Sequence, residues 1–305
     1  MRVSSQSIST MMLRNLQLNS AKINKLSEQI YSQKRVSVPS DDPIASTRLV
    51  QLRREQAAIS QYQSNITRLS GSLATQESHV TAFSNALMEM NDKLLSASNG
   101  SHAEADMEGF GWELDAMLES LVSGLNAKNE DGHYLFGGTK NNQQPVTYDP
   151  VTQTYSFQGN TSERETTVGN GVNIKENTDL SAIFSATGSD MDVLNKLQQL
   201  SEKMKDPTIP LVSYQNEFQG VLKSLQGAMD KNAGVLTGLG GRQNQLSMLN
   251  EAHEGVKIAN DGVVRELSEL DPAEAYVNLQ LYMNSIQASN SSYMKITQLS
   301  LFNLV

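Results

Sequence analysis

The chain predicts a mainly α-helical fold with a β insertion: an elongated antiparallel helical bundle or coiled coil formed by the N- and C-terminal halves, with a small β-rich domain in the middle. Three observations carry this. An apolar residue recurs every seven positions over residues 52–94, a second run of the same spacing lies near the other end, and a Thr-, Val-, Gly- and Asn-rich tract separates them. Seven-residue apolar repeats are the seam of paired helices, whereas short β-branched runs between turn residues are strands.

The first repeat is Leu52, Ile59, Ile66, Leu73, Val80, Leu87 and Leu94. Three residues further on stand Glu55, Tyr62, Leu69, Gln76, Phe83 and Met90, mostly apolar, completing a 3-4 spacing. At 1.5 Å per residue the run makes a rod of roughly 60 Å. The second rod reads Leu246, Leu249, His253, Val256, Asn260, Val263, Leu267 and Leu270. Its His253 and Asn260 fall on the seam, where a polar residue sets register or partner at a cost in stability. Shorter helices follow the loop at Asn99-Gly100-Ser101, through Met107, Phe110, Leu114, Met117 and Leu121, and precede the second rod, through Phe218, Val221, Leu225 and Ala228.

Both ends have polar-diluted seams: Leu16, Asn19, Ile23, Leu26 and Ile30 in front, Leu279, Tyr282, Ile286, Ser289, Tyr293 and Ile296 behind. Such helices bury little alone, so the termini are expected to meet, and to be largely disordered in the free monomer until partners cover them. Pro39 and Pro43 bracket Asp41-Asp42 in a turn, where Ser40, Asp41 or Asp42 caps the next helix. Strand candidates are Val146–Tyr148, Tyr155–Gln158, Thr166–Val168 and Val172–Ile174, and Asp206-Pro207 and Pro210 interrupt the return to helix. The expected segments are 1–43 (N-terminal coiled coil), 44–138 (first half of a helical rod), 139–190 (β-rich insertion), 191–270 (second half of the rod) and 271–305 (C-terminal coiled coil).

Composition narrows the function. The 305 residues are 38% hydrophobic and 19% charged, with 36 Ser, 25 Asn and 23 Gln. A net charge of −9 argues against a phosphate-binding surface. With no cysteine there is no disulfide, thiolate ligand or thiol nucleophile. His253-Glu254-Gly255-Val256-Lys257 resembles half of a zinc-protease helix, but an ammonium stands where the second ligand belongs. His102-Ala103-Glu104 lacks the cysteines a zinc deaminase needs, and is read as a loop entering a helix. Gly238-Leu239-Gly240-Gly241 has no following Gly-Lys-Ser/Thr and is read as a break between helices. Asn129-Glu130-Asp131-Gly132 lacks the ligand series of a calcium loop and is read as a solvated turn. The lone Trp112 is read as packing rather than binding. No catalytic residue, metal site or cofactor is expected, and no apolar run reaches the length of a membrane span.

The segments Val36-Ser37-Val38-Pro39-Ser40-Asp41-Asp42-Pro43-Ile44-Ala45-Ser46 and Gln61-Tyr62-Gln63-Ser64-Asn65-Ile66 resemble the amino-terminal signature of the flagellin superfamily. Gly132–Gly138, Gly241-Arg242-Gln243-Asn244-Gln245-Leu246 and the end Lys295–Asn303 are similar to its hook-filament junction proteins. The resemblance covers both helical halves and least of all the β insertion. It implies a structural, non-enzymatic protein of the bacterial flagellum, exported unfolded through the flagellar type III apparatus and located outside the cell. It further implies four partners: hook-associated protein 1 on the proximal side, flagellin on the distal side, copies of itself in a helical ring, and an export chaperone at the C-terminal region. Leu16, Ile23, Leu26, Ile30, Leu279, Ile286, Tyr293, Ile296 and Leu299 are then the inner-tube contacts, and Pro39, Asp41, Asp42 and Pro43 the turn between inner and rod helices. Flagellin itself is the alternative, against which stand Glu89–Leu95, without the Arg-Glu-Leu core of the immune-receptor segment, and the unusual ending Leu301–Val305. A cytosolic coiled-coil binding module, and an enzyme carried by the insertion, are more distant alternatives.

Overall fold

The computed structural model describes residues 2–99, 104–185 and 190–302. In chain order these form α1 (Arg2–Ser32), α2 (Pro43–Ser98), α3 (Glu104–Leu125), β1 (Val146–Asp149), β2 (Thr154–Phe157), β3 (Glu165–Gly169), β4 (Val172–Lys175), α4 (Ser181–Phe184), α5 (Asp192–Lys205), α6 (Leu211–Ser268) and α7 (Pro272–Phe302). They divide into two compact units, one of residues 60–253 and one of 1–59 with 254–305. The mainly helical fold with a central antiparallel strand region is as the sequence predicts.

In the unit of residues 60–253, α2 and α6 run antiparallel, shown by Tyr62 stacked on His253, a Gln243–Glu77 hydrogen bond of 2.7 Å and an Asn232–Val80 bond of 3.1 Å. The heptad residues Ile66, Leu73, Val80, Leu87 and Leu94 are all buried, as are Leu69, Gln76, Phe83 and Met90. The facing repeat on α6 is Phe218, Leu225, Asn232, Leu239 and Leu246, also buried and also seven apart. α3 and α5 add Leu114, Leu118, Leu121, Leu194, Leu197 and Leu200 to the same core. Their close approach needs Gly111, where a Cβ would lie 2.9 Å from Lys205 Cγ and 3.0 Å from Met204 Cβ; Ser201 Oγ instead donates to the Gly111 carbonyl at 3.0 Å.

The strands make two separate hairpins, β1–β2 with Val146 opposite Phe157, and β3–β4 with Glu165 opposite Lys175. Side chains of α2 and α6 fasten the second hairpin and its exit by hydrogen-bonding to main-chain carbonyls. Asn65 donates to Thr167 at 2.8 Å, Gln76 to Glu176 at 2.8 Å, and His253 Nε2 to Val168 at 2.7 Å. Arg242 reaches the carbonyls of Lys175 and Asn177 at 3.1 and 3.2 Å and the Thr178 hydroxyl at 2.8 Å. Two of the signature segments thus explain themselves locally: Asn65 and Arg242 read the hairpin backbone.

Three expectations are corrected. Gly238-Leu239-Gly240-Gly241 does not break a helix but lies within α6. Three glycines cost roughly 1 kcal/mol each, while burying Leu239 and Leu246 contributes roughly 1.5–3 kcal/mol each, so the seam outweighs the propensity. The second rod begins at Leu211, and Val256 and Val263 are exposed, with Lys257 and Val264 taking the inward positions. Trp112 is 58% exposed rather than packed in the core. Gly100–Ala103, including His102 and most of the expected 99–101 loop, lie outside the described residues.

Candidate assembly site at the terminal helices

In the unit formed by residues 1–59 and 254–305, α1 pairs antiparallel with α7. Asn19 Nδ2 donates to Ser285 Oγ at 3.1 Å, the Lys22 ammonium sits 5.1 Å from the Tyr282 ring centre, and Leu270 N donates to Gln33 O at 3.2 Å. The polar-diluted seams form the contact. Leu16, Ile23, Leu26 and Ile30 on α1 and Leu279, Ile286 and Tyr293 on α7 are partly buried along one line. Ile296 and Leu299 fall on α7 where side chains lie outside the described residues. The expected disorder of both ends is not what is found, since α1 and α7 are continuous helices. The reason is mutual cover: each stripe is shielded by the other, although among the described residues of the pair only Ala275 of α7 becomes fully buried.

The outward sides keep large apolar groups in water. Met11, Leu13 and Leu18 of α1, and Val277, Leu281 and Met294 of α7, are all exposed. A helix apolar on more than one side has not completed its burial in a two-helix pair. Sequence reading located the inner stripe but missed this outer one, because Gln, Asn and Ser interleave it and leave no single clean period.

A knot of hydrogen bonds closes the pair where α1 ends and α7 begins. Asp42 is the N-cap of α2, accepting from Ala45 N at 3.0 Å, with Pro43 as the first helical residue, where its missing N–H costs nothing. Asp271 and Pro272 repeat the device on α7, with Asp271 Oδ1 accepting from Ala273 N at 2.8 Å. Asp41 folds the turn after Pro39 onto itself by accepting from Ser37 N and Val38 N at 3.0 and 3.1 Å, and pairs with Lys25 at 2.8 Å. Arg35 ties the strands of chain together. Its main-chain N donates to Ser268 O at 2.8 Å, and its guanidinium donates to Leu267 O at 2.9 Å and to Asp42 at 3.1 Å. Lys34 and Glu269 form an antiparallel bridge beside it, flanking an open cleft of about 630 Å³ that Ile30, Leu270 and Tyr276 also line.

The charges of the knot follow from these contacts. The hydrogen bond from Lys25, followed by those from the Val38 and Ser37 amides, brings the Asp41 carboxyl down to about 2. The Ala45 amide first, and Arg35 second, lower that of Asp42. Both are held as carboxylates, acting as caps and anchors. Sequence reading found Pro39, Asp41, Asp42 and Pro43 but missed Arg35 and Asp271; the repeated Asp-Pro step was the available signal for the latter. Among the described residues no group of three or more His, Asp or Glu side chains is arranged to hold a metal ion, and no helix is long and apolar enough to cross a membrane.

Residues 3–141 match the profile of the bacterial flagellin N-terminal helical region. The whole chain aligns with flagellar hook-associated protein 3 of Salmonella typhimurium, at 25% identity over 318 residues and 99% of that protein. Among solved structures, a flagellar hook-associated protein from Vibrio parahaemolyticus is 35% identical with a TM-score of 0.68, covering 75% of this chain and 100% of that one. Flagellar hook-associated protein 3 from Legionella pneumophila shares the fold at 15% identity and a TM-score of 0.65, covering 71% of this chain and 98% of its own. The paired terminal helices, the capped turn and this likeness along the full chain together show that it belongs to the flagellar hook-associated protein 3 family of the flagellin superfamily.

Proposed function

We propose that this chain is a structural protein of the bacterial flagellum that forms the junction layer between hook-associated protein 1 and the flagellin filament, and templates filament assembly. The observation that carries the reading is the α1–α7 pair, whose inner stripe is only half covered and whose outer faces keep Met11, Leu18, Val277 and Leu281 in solvent. Such a pair gains further burial when neighbouring copies surround it. On this reading Leu16, Ile23, Leu26, Ile30, Leu279, Ile286, Tyr293, Ile296 and Leu299 are inner-tube contacts. Segments 1–43 and 271–305 form the inner tube, 44–138 and 191–270 the outer rod, and 139–190 an insertion. Export proceeds through the flagellar type III apparatus, with a chaperone held at the C-terminal region, and the work done outside the cell is mechanical rather than catalytic.

Polar seam residues such as Asn19 and Ser289 weaken pairing so that association waits for the growing tip, where many neighbours bury the same stripe. The test is electron microscopy of the purified chain, alone and with hooks already bearing the first junction protein. A short layer on hook tips without free filaments is expected, whereas long filaments from the chain alone make it a flagellin. Replacing Asn19 and Ser289 by Leu should cause aggregation away from the tip; normal yields of soluble monomer would count against the mechanism.

A further inference from the structure

The acidic charge of this chain is concentrated in one unit. Residues 1–59 with 254–305 carry 12 basic and 10 acidic side chains, nine of the basic ones within 1–59, whereas residues 60–253 carry 12 basic and 23 acidic ones. Helix α3 is the extreme case, with six acidic residues and no basic residue among its 22. Trp112, the single tryptophan of the chain, stands on this helix and is more than half exposed. An exposed indole is costly to leave in water and is among the commonest energetic centres of protein interfaces.

The ring is held in place. Lys205 lies 4.8 Å from its centre and is itself anchored by Asp115 at 3.1 Å and Glu202 at 2.8 Å, which leaves the Lys205 side chain only 11% exposed. Glu108, one turn earlier, accepts from the indole Nε1 at 3.5 Å. The ring therefore offers a pre-ordered face with an exposed carboxylate at its rim, a surface suited to a guanidinium, which stacks on indole and pairs with carboxylate at once. The same chain carries that chemistry elsewhere: Arg53 and Arg54 are adjacent and exposed on α2, and neither has an ion-pair partner among the described residues.

We propose that Trp112 on the acidic face of α3 docks the Arg53–Arg54 segment of a second copy of this chain. Two different surfaces meet in such a contact, so it repeats from copy to copy and builds a ring or helix rather than a closed pair. The inference rests on the self-association contained in the proposed function and names the surfaces that carry it. Complementary charge also makes the contact weaken with salt, as interactions beyond a Debye length are screened.

The test places a photo-crosslinking benzoyl-phenylalanine at position 112 of the full chain, in cells assembling flagella, and irradiates the isolated flagella. A covalent species of twice the 33.4 kDa chain mass is expected, its adduct mapping to the peptide that contains Arg53 and Arg54. Arg53→Glu with Arg54→Glu should lower the yield about tenfold, and adding Glu108→Arg should restore it. An adduct to another protein or segment, or none from flagella that contain the chain, overturns the proposal. The same irradiation of purified chain at high concentration separates the two ideas. Absence of the chain from flagella with this adduct formed in solution removes the junction reading alone, and absence of the adduct in both removes the contact.

Discussion

Asn232 Nδ2 donates to the main-chain oxygen of Val80 over 3.1 Å, joining one heptad position of α6 to one of α2 inside the core, while its own Oδ1 meets no partner among the described residues. A buried amide half satisfied in this way sets register and costs stability. Asn232→Leu is expected to raise the unfolding free energy by roughly 1–2 kcal/mol while loosening the specificity of pairing. Urea unfolding measures the first and hydrogen exchange at α2 the second; an unchanged or lower midpoint would refute the assignment.

Arg242 joins α6 to the end of β4 through two carbonyls and a hydroxyl. Burial draws its guanidinium below its ordinary value, with Glu163 opposing, yet it stays a cation. Arg242→Ala should destabilise by roughly 1–3 kcal/mol, with exchange protection lost first at residues 172–178, and Arg242→Lys should recover only part, because an ammonium cannot span the same acceptors. Uniform loss of protection over the whole chain would contradict this.

Asp41 makes the turn beneath α1 sensitive to acid. Its folded value of about 2 lies below the ordinary 3.8, so its contribution is present above the unfolded value and disappears as pH falls through 2. The difference in urea midpoint between the native chain and Asp41→Asn should be largest near neutrality and shrink below about pH 4. A difference that does not vary with pH would place the effect in geometry and not in charge.

Gln33 ends α1 in the left-handed region at φ 57°. Glycine takes that conformation without strain, so Gln33→Gly should stabilise by about 0.5–1 kcal/mol, read as a higher melting temperature. A loss instead would show that the Gln33 side chain contributes more than its backbone costs.

The long helices, the four strands and the two stripes of the terminal pair were legible because each has a local pattern. Leu52 to Leu94 repeats at seven, and the strand residues flank the Asp149-Pro150 and Gly169-Asn170-Gly171 turns. Continuity of α6 through Gly238–Gly241 was not legible, since local propensity opposes it and only the burial of Leu239 and Leu246 decides the matter. Arg35, Arg242 and His253 were obscure for a related reason. Each acts on main-chain oxygens distant in sequence, and a carbonyl has no letter of its own. The surroundings of Trp112 depend on the last residue of α5, about 90 positions away, which no local pattern reports.

The repeat Phe218, Leu225, Asn232, Leu239 and Leu246 on α6 faces Ile66, Leu73, Val80 and Leu87 on α2, so the two long helices act as matched rulers graduated in sevens. A ruler of this kind restricts how related chains differ in size. One residue added to either helix turns every later side chain by about 100° and places Leu in water and Gln in the core. An insertion that preserves this packing must therefore be a whole graduation made on both rulers together, or fall in the hairpins of 146–175, outside the matched repeats.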